Sequence, residues 1–553
     1  MKNLSPGRTA ASAVGAAGLE PTVPSAWAAA LAAAAAAGLL YWAACKLALF
    51  ADLAYGGSDF YSALQMSKSF RYTGVLLYDN IYGYGAAIHN NYLLLLFFPL
   101  TYPLGAYGLI VGLLVLYALA IVRLLRTPVL SFWGRLAVLG AVLSPMAFWI
   151  LDDPRWGFHV ELCNPPLGVL FTLALLERRR PAAVLLGLAL ILVKEDGAVL
   201  VAAVLVAYFL ARLMVGDASA TRLLRGACAS LAVCLLVFLA GLALLHLVGR
   251  SQALPQDTST ARLAEALHNT ATALSGRGPR EWSVRLGRGL VGWALLAFAC
   301  GLPLLRRLPV HLLLFAAGSV ALLPALVVSS ALYGFVEVWW APRMATVLTL
   351  VAACLTITAA LFRPCSWGGA TRRRLLAVTM AAIAAGWAGW SALLAWRINY
   401  HVLERANLRS LMSGRGQPIA RLHEDELRFA RCLAAGLPRD FPLGTVGPQT
   451  PVFHHQALTF FGSEFKAHPW QPPRLVVVYA RHRHPPPSPL ARVRRLFVTG
   501  DPELTPLLRR CGAEATVRSQ SNRSSILAAW IPTPSNVQWR TAVMTVTCPP
   551  VRR

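Results

Sequence analysis

Repeated apolar runs of about 20 residues fill most of the chain between residues 26 and 397. A run of this length in an α-helix crosses the hydrocarbon core of a bilayer, and a spanning helix satisfies its own backbone hydrogen bonds. Of the 553 residues, 57% are hydrophobic and only 14% are charged, whereas a soluble chain of this length covers its surface with charge. The sequence therefore predicts a polytopic α-helical membrane protein.

The length rule predicts about eleven transmembrane helices. We place them near residues 26–51, 92–122, 132–151, 162–177, 181–193, 197–213, 225–249, 289–306, 309–331, 344–362 and 375–396. The first run is too long for the apolar part of a signal peptide, and no clear cleavage site follows it. We interpret it as a retained helix behind a cytoplasmic tail at 1–25, within a transmembrane domain at 26–397.

Arginine clusters in the short loops set the orientation, because cytoplasmic loops are enriched in Lys and Arg. All of them fall on one side if the N-terminus is cytoplasmic: Arg123 and Arg126, Arg178 to Arg180, Arg222 and Arg225, Arg306 and Arg307, and Arg372 to Arg374. Acidic residues collect on the other side, which includes a long first outer loop at 52–91. The net charge of +27 therefore reflects topology and indicates no nucleic-acid partner.

The composition changes after residue 397, where Pro, Arg and Gly rise and short β-type runs such as RLVVVYA (474–480) occur. We expect residues 398–553 to form a small extracytoplasmic α/β domain. Three cysteines lie there, and outside the cytoplasm one pair could form a disulfide. We favour Cys511 with Cys548 over pairs that include Cys432.

Three consecutive ionisable residues, Lys194, Glu195 and Asp196, interrupt a long apolar stretch. A charged side chain at the bilayer centre is costly, so we expect a turn between two short helices near the outer surface. Glu195 and Asp196 could cap the following helix. Lys194 is not explained by capping, and it could pair with Glu161 or with Asp59.

The first outer loop contains an amphipathic stretch from Asp59 to Phe70, which we expect to lie in the membrane interface. Asp59 follows Gly56-Gly57-Ser58, so it is either a helix N-cap or a functional acid, and the two are compatible. His89 opens the next span, as an interfacial polar residue or a functional one.

Two further polar motifs lie on the predicted outer side. His159 and Glu161 are two residues apart in WGFHVELCNPP, and two ligands do not make a metal site. They fit better as polar groups that face a cavity. Arg343 in YGFVEVWWAPRM could hold a phosphate or contact a lipid headgroup.

Together these motifs resemble a bacterial family of polytopic membrane proteins, the one catalogued as domain of unknown function 2079. The FHVE stretch at 158–161 is similar to its FHPE-like motif, and Lys194-Glu195-Asp196 matches its KED motif. Asp59 and Gln65 match the first Asp and the Gln of its Asp-Leu-Gly…Asp-Gln helix, and His89 matches the His that opens its next span.

The chain departs from that pattern in the first loop. It has Phe60-Tyr61 in place of Leu-Gly, and Leu64 in place of the second Asp. This leaves Asp59 as the main acid of the helix and argues against a mechanism with two carboxylates.

By architecture that family resembles the GT-C glycosyltransferases. The resemblance implies an inverting transfer of sugar from a polyprenyl-phosphate-linked donor to a glycan, lipid or protein acceptor, at the outer face of the bacterial cytoplasmic membrane. Asp59 would be the general base. Lys194 or Arg343 would stabilise the leaving phosphate. The residues expected to bind donor or acceptor are Gln65, His89, His159, Glu161, Lys194, Glu195, Asp196 and Arg343.

Two other functions fit the residues. A transporter or flippase usually has polar groups near the midplane, access from both faces and internal repeats, whereas here the acids collect on one side. A non-catalytic membrane scaffold is the other alternative. No spacing indicates a metal or another cofactor, although a divalent metal is compatible with the chemistry.

Overall fold

The chain folds mostly into helices, several of which are long and apolar enough to span a membrane. The structure is a computed structural model that describes residues 25–51, 53, 58–80, 91–144, 147, 158–194, 196–216, 225–226, 228–237, 239–240, 243, 268, 279–332, 341–362, 424–446, 449–460, 474–480, 495–500, 502–511, 518–519 and 542–547. Within these residues the helices of sufficient length and hydropathy are Ser25–Ala44, Ala106–Arg126, Gly197–Val215, Gly289–Val327 and Arg343–Leu361. The predicted tail at 1–25 apart from Ser25, the predicted span at 375–396, His89 and Glu195 lie outside the described residues.

Twelve described helices precede the strands along the chain. They are α1 (Ser25–Ala51), α2 (Ser58–Thr73), α3 (Phe98–Leu104), α4 (Ala106–Arg126), α5 (Phe132–Val142), α6 (Asn164–Leu176), α7 (Arg180–Ile191), α8 (Gly197–Val215), α9 (Pro279–Gly301), α10 (Leu308–Leu332), α11 (Ala341–Leu361) and α12 (Glu424–Gly436). Short 3-10 segments precede α3 (Tyr92–Phe97) and α6 (Val160–Cys163).

The predicted single span at 92–122 is wrong, because the chain breaks at Gly105 between α3 and α4. Gly105 has φ +58°, a conformation that L side chains rarely adopt. A Cβ atom there would lie 2.2 Å from Nδ1 of His454, a residue far along the chain. Only glycine therefore fits at the break, because of a tertiary contact that local hydrophobicity does not reveal.

Contacts around Glu177 define one end of the helix bundle, which we call the arginine end. Arg123 in the last turn of α4 forms an ion pair with Glu177, which follows α6. The Thr127 hydroxyl donates to Glu177 Oε1 at 2.7 Å, just before α5 begins. A Cβ on Gly134 in α5 would lie 2.8 Å from Cβ of Ala359, near the end of α11. The first residues of α4, α6 and α11 therefore lie toward the opposite end.

Helices α6 and α7 are shorter than the long helices beside them. They contain 13 and 12 residues, so they rise only about 20 and 18 Å, whereas the 21 residues of α4 rise about 31 Å. The turn after α7 is consequently recessed into the bundle. Lys194 in that turn is 6% exposed. The turn that we expected at Lys194 is present between α7 and α8, and Lys194 is buried there within the protein.

The C-terminal part of the chain contains a six-stranded mixed sheet in the order β2-β1-β3-β4-β6-β5. The strands are β1 (Pro442–Val446), β2 (Ala457–Phe460), β3 (Leu475–Ala480), β4 (Arg495–Gly500), β5 (Arg518–Ser519) and β6 (Ala542–Thr547). Strand β1 pairs in parallel with β2 and β3, whereas β4 and β6 run antiparallel to their neighbours. Residues 424–547, where described, are called the C-terminal region below.

One disulfide lies in the C-terminal region, and it joins Cys432 to Cys511 with a Cα–Cα distance of 5.6 Å. The predicted pair Cys511–Cys548 is therefore wrong. Cys432 lies on α12, and Cys511 follows the short helix α13 (Thr505–Arg510), so packing of the two helices brings the cysteines together. Sequence spacing contained no sign of that packing.

We expect a tryptic digest made without reductant to contain the Cys432 and Cys511 peptides as one linked mass. Replacing both cysteines by serine should lower the free energy of unfolding by about 2–5 kcal/mol, because the bond closes a long loop. Mass spectrometry and thermal unfolding measure the two effects. A linked Cys511–Cys548 peptide would contradict the structure.

Helix α2, which we expected to lie in the membrane interface, packs against the C-terminal region. Every residue from Phe60 to Ser69 is buried. The Gln65 Nε2 donates to the Leu458 carbonyl at 2.6 Å, and Lys68 Nζ donates to the His455 carbonyl at 2.9 Å. Gln65 and Lys68 contributed to the amphipathic pattern of the sequence, and in the structure both side chains bind protein backbone.

Candidate functional site

The first feature of the candidate site is a close approach of Asp59 and His159. Asp59 lies inside the first turn of α2, so it is not an N-cap, and its carboxylate lies near the positive end of the helix dipole. His159 Nε2 lies 3.8 Å from Asp59 Oδ2, and the two side chains are 10% and 25% exposed respectively. The Asp59 carboxylate is therefore partly open to solvent. A small movement would bring His159 Nε2 within hydrogen-bonding distance of it.

A buried ion pair supports the segment that carries His159. Lys194 Nζ donates to Glu161 Oε1 at 2.8 Å, and the side chains are 7% and 6% exposed. Of the two partners that we considered for Lys194, the structure selects Glu161. This pair connects the turn after α7 to the 3-10 segment directly after His159.

The turn that presents Lys194 depends on a close helix approach. A Cβ atom on Gly197, the first residue of α8, would lie 2.1 Å from the Leu190 carbonyl oxygen in α7, so only glycine fits without movement. The Leu93 amide donates to the Leu192 carbonyl at 2.9 Å and ties the 3-10 segment before α3 to the same turn. The sequence Lys-Glu-Asp-Gly therefore builds a tight connection between two helices.

Asp196 only partly fulfils its predicted role. It is the N-cap residue of α8 by position, but its side chain makes no capping hydrogen bond. Its backbone carbonyl accepts from the amides of Val199 and Leu200 at 3.0 and 3.1 Å. Helix α8 therefore begins at the predicted place without the carboxylate cap.

Arg343 lies in the first turn of α11, the end of that helix away from the arginine end. Its side chain is 4% exposed. Helix α11 packs against the 3-10 segment of Glu161 and against α6. Arg343 therefore provides a buried cation in the same half of the bundle as the ion pair.

Both polar atoms of the Gln65 side-chain amide form hydrogen bonds with protein backbone. Besides its bond to Leu458, its Oε1 accepts from the Asn80 amide at 3.1 Å, and the side chain is fully buried. In this structure Gln65 ties α2 to the C-terminal region and to the loop after α2. It is six residues, or about 9 Å, along α2 from Asp59.

A second polar cluster joins α2 to the C-terminal region, and the sequence reasoning missed it. Lys68 is 3% exposed, and its Nζ lies 2.7 Å from Asp440 Oδ1. The Ala106 amide, at the start of α4, donates to His454 Nδ1 at 3.3 Å. Burial lowers the pKa of Lys68 although Asp440 opposes that shift. Burial, with the charges of His455 and Lys68, lowers the pKa of His454 to about 3.

The pKa of His454 predicts a weaker fold in mild acid. Its usual pKa is 6.5, so the unfolded chain takes up a proton below that pH while the folded chain does not. Stability should be complete above pH 6.5 and should fall as the pH drops toward 3. We expect a lower thermal unfolding midpoint at pH 5 than at pH 7.5, with a smaller difference in His454→Gln. An identical pH dependence in that variant would contradict this assignment.

No family model, curated protein or solved structure matches the chain.

The described residues contain no group of three His, Cys, Asp or Glu side chains placed to hold a metal ion. His159 turns toward Asp59, and Glu161 turns toward Lys194, so these neighbours do not act as a ligand pair. The arrangement offers a partly exposed carboxylate with a histidine beside it, a neutral buried ion pair, and a buried arginine. Such a set can accept a proton and bind an anion.

Proposed function

We propose that the protein is a GT-C-like membrane glycosyltransferase that moves a sugar from a polyprenyl-phosphate-linked donor to an acceptor hydroxyl. The main support is Asp59, a carboxylate that is 25% exposed and has His159 Nε2 at 3.8 Å. A general base must reach the proton that it abstracts, and apo sites often have longer contacts than the reacting complex. The motif resemblance around Asp59, His159 and Lys194 points to the same reaction.

In the proposed reaction, Asp59 takes the proton of the acceptor hydroxyl as that oxygen forms a bond to the anomeric carbon. The bond from this carbon to the phosphate oxygen breaks, and its electron pair leaves with the polyprenyl phosphate. Attack from the side opposite the phosphate inverts the anomeric configuration. His159 orients the Asp59 carboxylate and stabilises its charge.

Arg343 is the better candidate to stabilise the leaving phosphate. A guanidinium group can bind phosphate oxygens through two parallel hydrogen bonds, whereas the ammonium group of Lys194 acts as a single point charge. A buried donor of this kind acts in a low dielectric, where it stabilises developing charge strongly. Lys194 and Glu161 then hold the His159 segment and do not act on the donor.

We further propose that the arginine end faces the bacterial cytoplasm and that the C-terminal region lies outside the cytoplasmic membrane. Arg123 and Arg126 at the end of α4 and Arg178 to Arg180 between α6 and α7 support this by the positive-inside rule. The Cys432–Cys511 bond supports it independently, because disulfides persist in oxidising compartments. In this arrangement α2 and Asp59 reach donors in the outer leaflet.

A panel of polyprenyl-phosphate sugars tests the donor class. The purified full-length protein is incubated with each donor, and released polyprenyl phosphate is measured by mass spectrometry, with water as a slow acceptor. We expect release from at least one donor above a protein-free control. If no donor binds and none releases polyprenyl phosphate, the proposed reaction is wrong.

A further inference from the structure

Two arginines from distant parts of the chain share one tyrosine ring. The Cζ atoms of Arg71 and Arg439 lie 5.5 and 5.9 Å from the ring centroid of Tyr102. Arg439 Nη1 also donates to the Tyr102 carbonyl at 3.4 Å. Arg71 lies in the last turn of α2, and Arg439 lies in the turn before β1. Both side chains are exposed, so the cations gather on one surface.

The charge of this surface is not cancelled by the carboxylate nearest in sequence. Asp440 follows Arg439, but it forms its ion pair with Lys68 at 2.7 Å. Arg71 and Arg439 therefore add positive charge beside a pair that is already neutral. Two like charges that contact one ring repel each other, and a bound anion relieves that repulsion.

The position of Tyr102 along the bundle identifies the source of the anion. Tyr102 lies in α3, shortly before α4 begins at Ala106. The 21 residues of α4 rise about 31 Å, close to the thickness of the hydrocarbon core, and α4 ends at Arg126 in the arginine end. If α4 spans the bilayer, Tyr102 lies at the level of the lipid headgroups.

The side chains around Arg71 and Arg439 are of the types found at the level of the lipid headgroups. Phe98 lies 5.5 Å from Tyr102 between ring centroids and is 36% exposed, and Phe70, next to Arg71, is 61% exposed. Aromatic and basic residues together are typical of a membrane interface, where the rings lie at headgroup depth and the cations meet phosphate.

We propose that Arg71, Tyr102 and Arg439 form a binding site for the phosphate of an anionic phospholipid headgroup. The site is composite, because Arg71 comes from α2 and Arg439 from the C-terminal region. It exists only while that region is docked on α2, so bound lipid stabilises the docked state by mass action. Asp59 lies twelve residues, or about 18 Å, from Arg71 along α2, so this site is separate from the proposed reaction.

The test uses the full-length protein in dodecyl maltoside micelles. Thermal unfolding is followed by tryptophan fluorescence with added phosphatidylglycerol, phosphatidylcholine or inorganic phosphate. We expect phosphatidylglycerol to raise the wild-type midpoint by about 2–4 °C more than either of the others, and the excess should shrink in 0.5 M NaCl. An equal rise with phosphatidylcholine or with inorganic phosphate would overturn the proposal.

Two double variants separate this site from general charge. Arg71→Gln/Arg439→Gln should lose the excess stabilisation by phosphatidylglycerol. Arg306→Gln/Arg307→Gln removes the same charge from another exposed arginine pair and should keep it. Native mass spectrometry counts the bound phosphatidylglycerol in the wild type and in both variants, and it needs no comparison of unfolding midpoints. Retention in the first variant, or equal loss in both, would show that these two arginines do not form the site.

Discussion

Asp59→Asn should lower the rate of polyprenyl phosphate release about 100-fold or more, the contribution expected of a general base. The amide has nearly the same shape as the carboxylate, so binding of the donor should change little, but it cannot accept the acceptor proton. The rate is measured with the best donor of the panel. Donor binding is measured separately, so that loss of chemistry is distinguished from loss of affinity.

Glu503→Gln is the matched control for that change. It replaces another carboxylate by an amide, but Glu503 is 80% exposed and pairs with Arg474 at 3.0 Å in the C-terminal region. Its release rate should equal that of the wild type. If Asp59→Asn also releases polyprenyl phosphate at the wild-type rate, then Asp59 is not the base.

Glu161→Gln should lower the free energy of unfolding by about 3–5 kcal/mol, because it leaves the Lys194 charge buried without its carboxylate. The pair is only 6–7% exposed, so water cannot replace the lost partner well. Chemical unfolding of the purified protein in detergent measures the loss. Little change would mean that the interaction at 2.8 Å contributes nothing to the fold.

The double variant Glu161→Gln/Lys194→Met is the internal control for the ion pair. It removes the Lys194 charge as well, and it should recover most of the stability lost in Glu161→Gln, since an apolar replacement of a buried pair is often neutral. If the double variant is less stable than Glu161→Gln, then Lys194 stabilises the fold through other contacts.

Local sequence pattern was enough to place several parts of the site. The helix predicted from Asp59 to Phe70 is confirmed as α2, because its start and its polarity are local properties. Glu161 was one of the two partners that we considered for Lys194, and the structure pairs them. The apolar surroundings had indicated such a partner, because a buried charge requires an opposite charge nearby. Both results depend on residues whose type directly indicates whether their surroundings are polar or apolar.

Long-range contacts account for what the sequence did not reveal. Only glycine fits at Gly105 because His454 lies against it, and Cys511 pairs with Cys432 because two helices pack together. The separation between Cys432 and Cys511 is 79 residues, and nothing local selects one partner cysteine over another. Tertiary packing decides both features.

Lysine usage was a signal that the sequence analysis did not use. The sequence has five lysines, and the three that the structure describes, Lys46, Lys68 and Lys194, are all at most 6% exposed. Each described lysine is therefore a buried cation, and this pattern would have pointed to Lys68.

The most direct test of the proposed function is an assay in sealed proteoliposomes that contain the full-length protein and a polyprenyl-phosphate sugar. Released polyprenyl phosphate and transbilayer movement of the intact donor are measured in the same vesicles, with protein-free vesicles as the reference. The glycosyltransferase account predicts released polyprenyl phosphate, with the intact donor crossing no faster than in protein-free vesicles. Faster movement of the intact donor without release would contradict it and would identify a flippase.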